Sequence, residues 1–231
     1  MSALAIILAR GGSKRIPRKN LKPFLGYPII KYSIDAAISS ELFDEVMVST
    51  DDDEIKELSL KYGAKVPFLR SPQASDDFAT TADALVEVIS LYAEQGKIFD
   101  YTCCLYPTAP FVTSEKLVYA YKILINNKYK SVFPVLSFHY PIWRSFILNS
   151  GRLVMNFSQY ENSRSQDLPQ TFHDAGQFYF FNTEVFMMEK TLFTNNSFGI
   201  KIDEFEGQDI DTLEDWKLAE IKYKMRKNGK I

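Results

Sequence analysis

Two stretches of the chain carry residues that could do chemistry together. The first is Ala9-Arg10-Gly11-Gly12-Ser13-Lys14-Arg15-Ile16-Pro17-Arg18-Lys19-Asn20, which sets five cations around a glycine pair. Glycine admits backbone conformations that other residues resist and lets a ligand approach closely. Successive backbone N–H groups in such a turn form a concavity that binds anions. Positive charges this dense repel one another unless an anion sits among them, so the stretch reads as a phosphate cradle rather than a solvated basic loop. The second stretch is Asp209-Ile210-Asp211. In an extended segment, carboxylates at i and i+2 share a face. They can bind one hard cation, as Mg²⁺ is held by one or two carboxylates plus substrate phosphates. Alone, such a pair is as readily a surface or capping feature; a phosphate cradle in the same chain gives it a metal-binding reading.

The elements around these stretches must place the cradle at one end of a sheet. Residues 3–9 are an apolar run without cap signals and too short for a globular helix, so they read as a buried strand. Helical spacing predicts a helix over 27–39, then a buried strand at 45–50 and a helix over 51–62. Asp51-Asp52-Asp53 invites a metal, but acids in a first helical turn are also favoured by the helix dipole. A short third strand is expected at 65–68, a polar loop at 70–81, a helix from there to about 95, a strand at 100–107 and a helix at 114–127. Strands alternating with helices make a mainly parallel, mixed sheet sandwiched by helices. Ligands of such sheets lie at the C-terminal strand ends, where the cradle falls. Beyond residue 130 come a strand at 131–138, a hairpin at 145–154 turning at Asn149-Ser150-Gly151, a strand at 178–181, a helix at 182–190 and a strand at 198–202. Thr212 caps a final helix, 213–226. Residues 1–231 read as one α/β domain with an insertion at about 138–172.

Composition narrows the partners. With 46% hydrophobic and 24% charged residues the chain is ordinary for a soluble globular protein. A net charge of −2 gives no reason to expect nucleic acid as a partner, so the basic loop is a local feature. No apolar run approaches the ~18 residues a membrane span needs. The N-terminal run has no basic flank and ends in charge, which reads as a strand rather than a secretory signal. The two cysteines, Cys103 and Cys104, are neighbours on a predicted strand and point to opposite faces, as small buried hydrophobes in a reducing compartment would. A cytoplasmic protein is the expectation. The phosphate-binding pattern GxxxxGK[ST] and the dinucleotide pattern GxGxxG are both absent.

The opening Ala9-Arg10-Gly11-Gly12-Ser13-Lys14 with Pro17-Arg18-Lys19-Asn20 resembles that of the cytidylyltransferases that activate nonulosonic (sialic-type) acids as CMP-sugars. So do Arg164-Ser165-Gln166-Asp167-Leu168-Pro169, His173-Asp174-Ala175-Gly176-Gln177-Phe178-Tyr179 and Gln208-Asp209-Ile210-Asp211-Thr212, and the resemblance runs over nearly the whole chain. Tyr106-Pro107-Thr108-Ala109-Pro110 has an aromatic where the sialate branch has glutamine, which resembles the pseudaminate branch more.

This resemblance implies a nucleotidyltransferase, Rossmann-like fold, CTP as substrate, Mg²⁺ as cofactor and attack by a sugar hydroxyl on the α-phosphate. Arg10 and Lys14 would lie along the β- and γ-phosphates with Ser13 and the N–H groups of Gly11 and Gly12. Lys19 would approach the α-phosphate and Asn20 the nucleotide, while Arg70, Ala79 and Thr81 frame the nucleoside. Asp209 and Asp211 would hold the metal, and Arg10, Lys19 and Asp211 form the catalytic set. Tyr106 and Gln177 would touch the acceptor. The acceptor's carboxylate calls for arginine, for which Arg144 and Arg164 are candidates, each alternatively a surface ion-pair partner. Either aspartate could take the hydroxyl proton; His139 and His173 are further candidates that are as readily structural. In the related enzymes the insertion makes a dimer contact, for which Tyr140, Ile142, Trp143 and Phe146 would be suited, although aromatics are as often buried in a chain's own core.

The main acceptor alternatives to pseudaminic acid are legionaminic and N-acetylneuraminic acid. A nucleotide-sugar glycosyltransferase also carries Asp-x-Asp, but it binds a diphosphate and needs no cradle so basic. A non-catalytic nucleotide-binding module has no use for Arg10, Lys19, Asp209 and Asp211 together.

Overall fold

In the computed structural model, which describes residues 1–227 and 229, the sheet grows outward from the first strand. Strand β1 (Ala3–Leu8) is buried along nearly its whole length and is followed by a two-strand hairpin, β2 (Pro23–Phe24) and β3 (Tyr27–Pro28). Then come α1 (Ile30–Ser39), β4 (Glu45–Ser49), α2 (Asp53–Lys61), α3 (Pro72–Ser75), α4 (Thr81–Glu94), β5 (Tyr101–Leu105) and α5 (Ser114–Asn127). The second half supplies β6 (Ser131–Ser137), β7 (Phe146–Asn149), β8 (Arg152–Met155), β9 (Phe172–Asp174), β10 (Phe178–Asn182), α6 (Thr183–Glu189), β11 (Ser197–Lys201) and α7 (Leu213–Lys227). Seven strands form one sheet in the order β11-β6-β10-β5-β1-β4, with β9 on the far part of β6. Strands β4, β1 and β5 are mutually parallel, β11 is parallel to β6, and β10 runs antiparallel between β5 and β6.

Alternation along the strands builds two cores, one on each face. Ala5, Ile7, Val48, Cys103 and Phe180 face α1 and α5 with Ile34, Ala37, Leu117 and Leu124. Leu4, Ile6, Cys104, Tyr179 and Phe181 face α4 and α6 with Leu85, Val88, Tyr92 and Phe186. The two cysteines therefore divide between the faces, and burial pushes both thiols up, away from reactivity.

Two local expectations change. The helix expected from residue 27 begins at Ile30, because Leu25 and Gly26 turn with positive φ and pair Pro23–Phe24 with Tyr27–Pro28. The strand expected at 65–68 is a single bridge, Met47 to Lys65. Lys65 exchanges bonds with Val46 O and Val48 N, and Pro67 then has no N–H to continue a ladder. In the insertion the hairpin forms as expected, with Ser150 and Gly151 at φ 49 and 82. Tyr140 and Phe146 are exposed, as are Ile147, Leu148, Leu153 and Val154 on both hairpin faces. Trp143 instead packs edge-on against Phe157 and Tyr160 and donates to Pro169 O at 2.9 Å.

At the N-terminal end of β4, away from the cradle, buried Glu45 accepts from Tyr92 Oη, from Lys65 Nζ at 3.0 Å and from Lys97 Nζ at 3.1 Å. Burial alone would raise its carboxyl, but these three donors more than offset that and hold it low. A folded-state value below the unfolded one gives stability that is present above the unfolded pKa, about 4.3, and lost as pH falls through the folded value. Glu45→Gln should cost about 1–3 kcal/mol at neutral pH and flatten the acid limb of a pH–melting profile, measured by thermal unfolding.

Candidate active site

The cradle leaves β1 with Ala9 N donating to Ser49 O and returns through a left-handed Arg18 into a short 3₁₀ turn, Lys19–Leu21. Asn20 Nδ2 donates to Arg10 O at 2.9 Å, closing the loop on itself. The glycines differ in kind. A Cβ on Gly11 would sit 2.7 Å from Asp52 Oδ2 and 2.9 Å from its Cβ, whereas one on Gly12 would meet nothing within 4 Å. Asp52 is fixed, since it caps α2 by accepting from Ile55 N and pairs with Arg18. Asp51 accepts from Gly11 N at 2.8 Å. The aspartate run thus caps a helix and braces the loop. Gly11→Ala should cost about 1–3 kcal/mol through overpacking. Gly12→Ala should leave the melting temperature unchanged and show its loss only in CTP binding; melting with and without CTP separates the two.

One small core unites the two chemical stretches. Ile16 of the cradle and Ile210, between the two aspartates, are both buried with Phe24, Ile29, Phe111 and Trp216. Trp216 and Ala219 enter from α7, whose first turn is capped reciprocally by Thr212 and Asp215. With Ile210 anchored inward, Asp209 and Asp211 lie on its solvent side. Lys19 Nζ donates to Ile210 O at 2.6 Å and lies 3.8 Å from Asp211 Oδ1, while Arg15 Nη1 reaches Asp211 Oδ2 at 2.5 Å. Burial lowers the Lys19 ammonium, and Asp211 and Asp209 oppose it. Partial burial, then the charge of Asp211, raises the Asp209 carboxyl, which opens to solvent and has no ion-pair partner among the described residues. A carboxylate short of positive charge beside a second one suits a hard cation shared with phosphate oxygens. No group of three or more potential metal ligands occurs among the described residues.

The other cations of the cradle also find acids. Arg10 and Lys14 share Asp77, and Arg18 takes Asp52 and Glu54. None of these pairs is legible from the sequence, because the partners lie more than thirty residues along the chain.

Next to Arg10 lies a cavity of about 230 Å³ walled by Arg70, Ala79, Thr81 and Tyr106. Buried Arg70 spends Nε on Ser49 Oγ and Nη2 on Ser49 O, leaving Nη1 without a hydrogen-bond partner among the described residues. Burial lowers its guanidinium, with Asp51 and Glu87 opposing. Tyr106 stands in this wall rather than apart from it. Its hydroxyl is 3.2 Å from Thr81 Oγ1, and its ring meets Tyr179 edge-on.

On the other side of Asp209 opens a cleft of about 880 Å³, lined by Gln208, His139, His173, Lys201 and Lys222. Gln177 is buried behind it, with Nε2 on Glu206 O and Oε1 unpartnered among the described residues. The insertion's arginines are placed differently. Arg164 is exposed and paired with Asp167, and Arg144 lies on the insertion's surface. Among the described residues neither makes a hydrogen bond or ion pair to the cradle or the aspartates.

The cradle, the cavity beside Arg70 and the acid pair belong to a chain that is similar to known proteins along nearly its whole length. A family model described as cytidylyltransferase matches residues 4–226. The chain is 45% identical over 226 residues to the pseudaminic acid cytidylyltransferase of Campylobacter jejuni, covering 97% of both. It is 31% identical to the CMP-N,N'-diacetyllegionaminic acid synthase of Legionella pneumophila, covering 95% of both. Among solved structures, a CMP:2-keto-3-deoxy-manno-octonic acid synthetase complexed with CTP superposes with a TM-score of 0.70 at 17% identity, covering 99% of this chain and 100% of that one. From the first strand to the last helix, the chain belongs to the cytidylyltransferase family.

Proposed function

We propose that this nucleotidyltransferase moves CMP from CTP to the anomeric hydroxyl of pseudaminic acid and releases pyrophosphate. The observation that carries the reading is Lys19 seated on Ile210 O between Asp209 and Asp211, at the end of a loop with four further cations. Such transfer is mostly positioning and charge neutralisation. In this reading Arg10 and Lys14 hold the β- and γ-phosphates, with N–H groups of the open Gly12 turn. Arg70 offers its free Nη1 to the nucleoside, and Thr81 and Tyr106 close that wall. Lys19 supports the α-phosphate as the leaving group departs. Asp209 and Asp211 would hold a divalent cation, which neutralises the triphosphate. An aspartate on the cleft side takes the hydroxyl proton, from an acceptor seated beside Asp209.

The chain is one domain in the cytoplasm, and Tyr140, Phe146 and the apolar hairpin β7–β8 pack against a second copy. Arg144 and Arg164 on that arm then serve an acceptor site completed by the assembly. Pseudaminic acid is favoured as the acceptor by the 45% identity to a pseudaminic acid cytidylyltransferase over 97% of both chains. Competition kinetics with pseudaminic, legionaminic and N-acetylneuraminic acids should give pseudaminic acid the highest kcat/KM, and sedimentation should give a dimer. A monomer that prefers N-acetylneuraminic acid would overturn the acceptor and the assembly together.

A further inference from the structure

One carboxylate holds both cations that the reading above gives to the β- and γ-phosphates. Asp77 Oδ1 lies 3.3 Å from Arg10 Nη1, and its Oδ2 pairs with Lys14 Nζ. Asp76 O accepts from the same Arg10 Nη1 at 3.0 Å. The turn that presents Asp77 is itself braced, because Asp76 Oδ1 accepts from Phe78 N at 2.9 Å and Ala79 N at 2.6 Å. That turn also walls the cavity beside Arg70 and Thr81. One short segment therefore lines the nucleoside seat and occupies the phosphate seat.

We propose that Asp77 is a built-in competitor for the β,γ-diphosphate, yielding Arg10 and Lys14 when CTP binds and reclaiming them to displace pyrophosphate after transfer. The proposal rests on the reading that Arg10 and Lys14 carry those phosphates. All three side chains are well exposed, so the pairs open at little cost. CTP wins the exchange because it brings more charge and more acceptor oxygens, and because its base and ribose hold it in the site. Once the bond to the α-phosphate has broken, pyrophosphate loses that tether. The carboxylate keeps its own, and its high effective concentration then favours it. Asp77 is thus a positioning residue that sets how long the leaving group stays.

The test is calorimetric titration of full-length wild type, Asp77→Asn and Asp77→Ser with pyrophosphate, CTP and CMP in Mg²⁺ buffer, with pyrophosphate product inhibition measured alongside. Both variants should bind pyrophosphate roughly three- to tenfold tighter, the size of two exposed ion pairs, and be more strongly inhibited by it. CTP should tighten by no more than that, and CMP, whose single phosphate does not reach Arg10 and Lys14, should be unchanged. Pyrophosphate binding that is unchanged or weaker in both variants, or a parallel change for all three ligands, overturns the proposal. Arg10→Ala tells the two failures apart. If it weakens pyrophosphate while both Asp77 variants do not strengthen it, only the competitor role falls. If it leaves pyrophosphate unaffected, the phosphate assignment of Arg10 falls and the competitor role with it.

Discussion

Lys19→Ala and Asp211→Ala should each lower turnover by roughly a hundredfold or more while the protein stays folded, in line with losing one preorganised donor at a developing charge. Such a loss commonly costs ~2.7–4 kcal/mol of transition-state stabilisation. Lys19 is built for this use. Its side chain is 19% exposed and is aimed by Ile210 O, and burial lowers its ammonium against the opposing charges of Asp211 and Asp209. Asp211 positions both Lys19 and Arg15, so its removal loosens two cations and removes half of the acid pair. Neither change threatens the fold, because the cradle and the aspartates are tied by Ile16 and Ile210 in a shared apolar core. The ion pair that Asp211 makes with exposed Arg15 is worth about 0–1 kcal/mol. Steady-state kinetics beside thermal melts would check this. Rates within tenfold of wild type for both variants would contradict the assignment.

Removing divalent cations with excess chelator should abolish turnover, and adding Mg²⁺ back should restore it. The physical reason is the imbalance around Asp209. Its carboxylate, raised by partial burial and by Asp211, has no ion-pair partner among the described residues, whereas Asp211 has both Arg15 and Lys19. Bringing a triphosphate to that pair adds negative charge to negative charge, and a hard cation held by Asp209 and Asp211 would relieve it beside the cradle's own cations. Asp209→Asn should accordingly raise the Mg²⁺ concentration needed for half-maximal rate by tenfold or more, the scale expected when a metal site loses a ligand or its support. The measurement is a Mg²⁺ titration of initial rate. Full activity in chelator would remove the metal from the account.

What could be read from the sequence was whatever depends on local pattern. The buried run after Ser2, the capped helix at Ser114–Asn127 and the left-handed turn at Ser150-Gly151 all sit where periodicity and turn chemistry put them. The cradle and the acid pair were visible because their residue types are unusual at that density. What was hidden depends on packing across long separations. Nothing in the spelling of Ile16 and Ile210 says that they share a core, yet this contact makes two motifs one centre. Likewise Asp77 lies in the polar loop at 70–81, and only the fold brings it to Arg10 and Lys14. The 65–68 segment failed because a propensity for strand cannot supply the N–H that Pro67 lacks. The placement of Tyr106, with its hydroxyl against Thr81 in the wall beside Arg70, is likewise a product of the fold and not of local spelling.

Phosphorus NMR of the full-length protein with CTP, Mg²⁺ and pseudaminic acid tests the central claim, that cradle and acid pair act together to move CMP. The account predicts loss of the CTP β-phosphate signal with growth of pyrophosphate and one new phosphodiester signal, both dependent on the acid and both lost in Lys19→Ala. Release of inorganic phosphate or CDP, or pyrophosphate without a new phosphodiester, would contradict it.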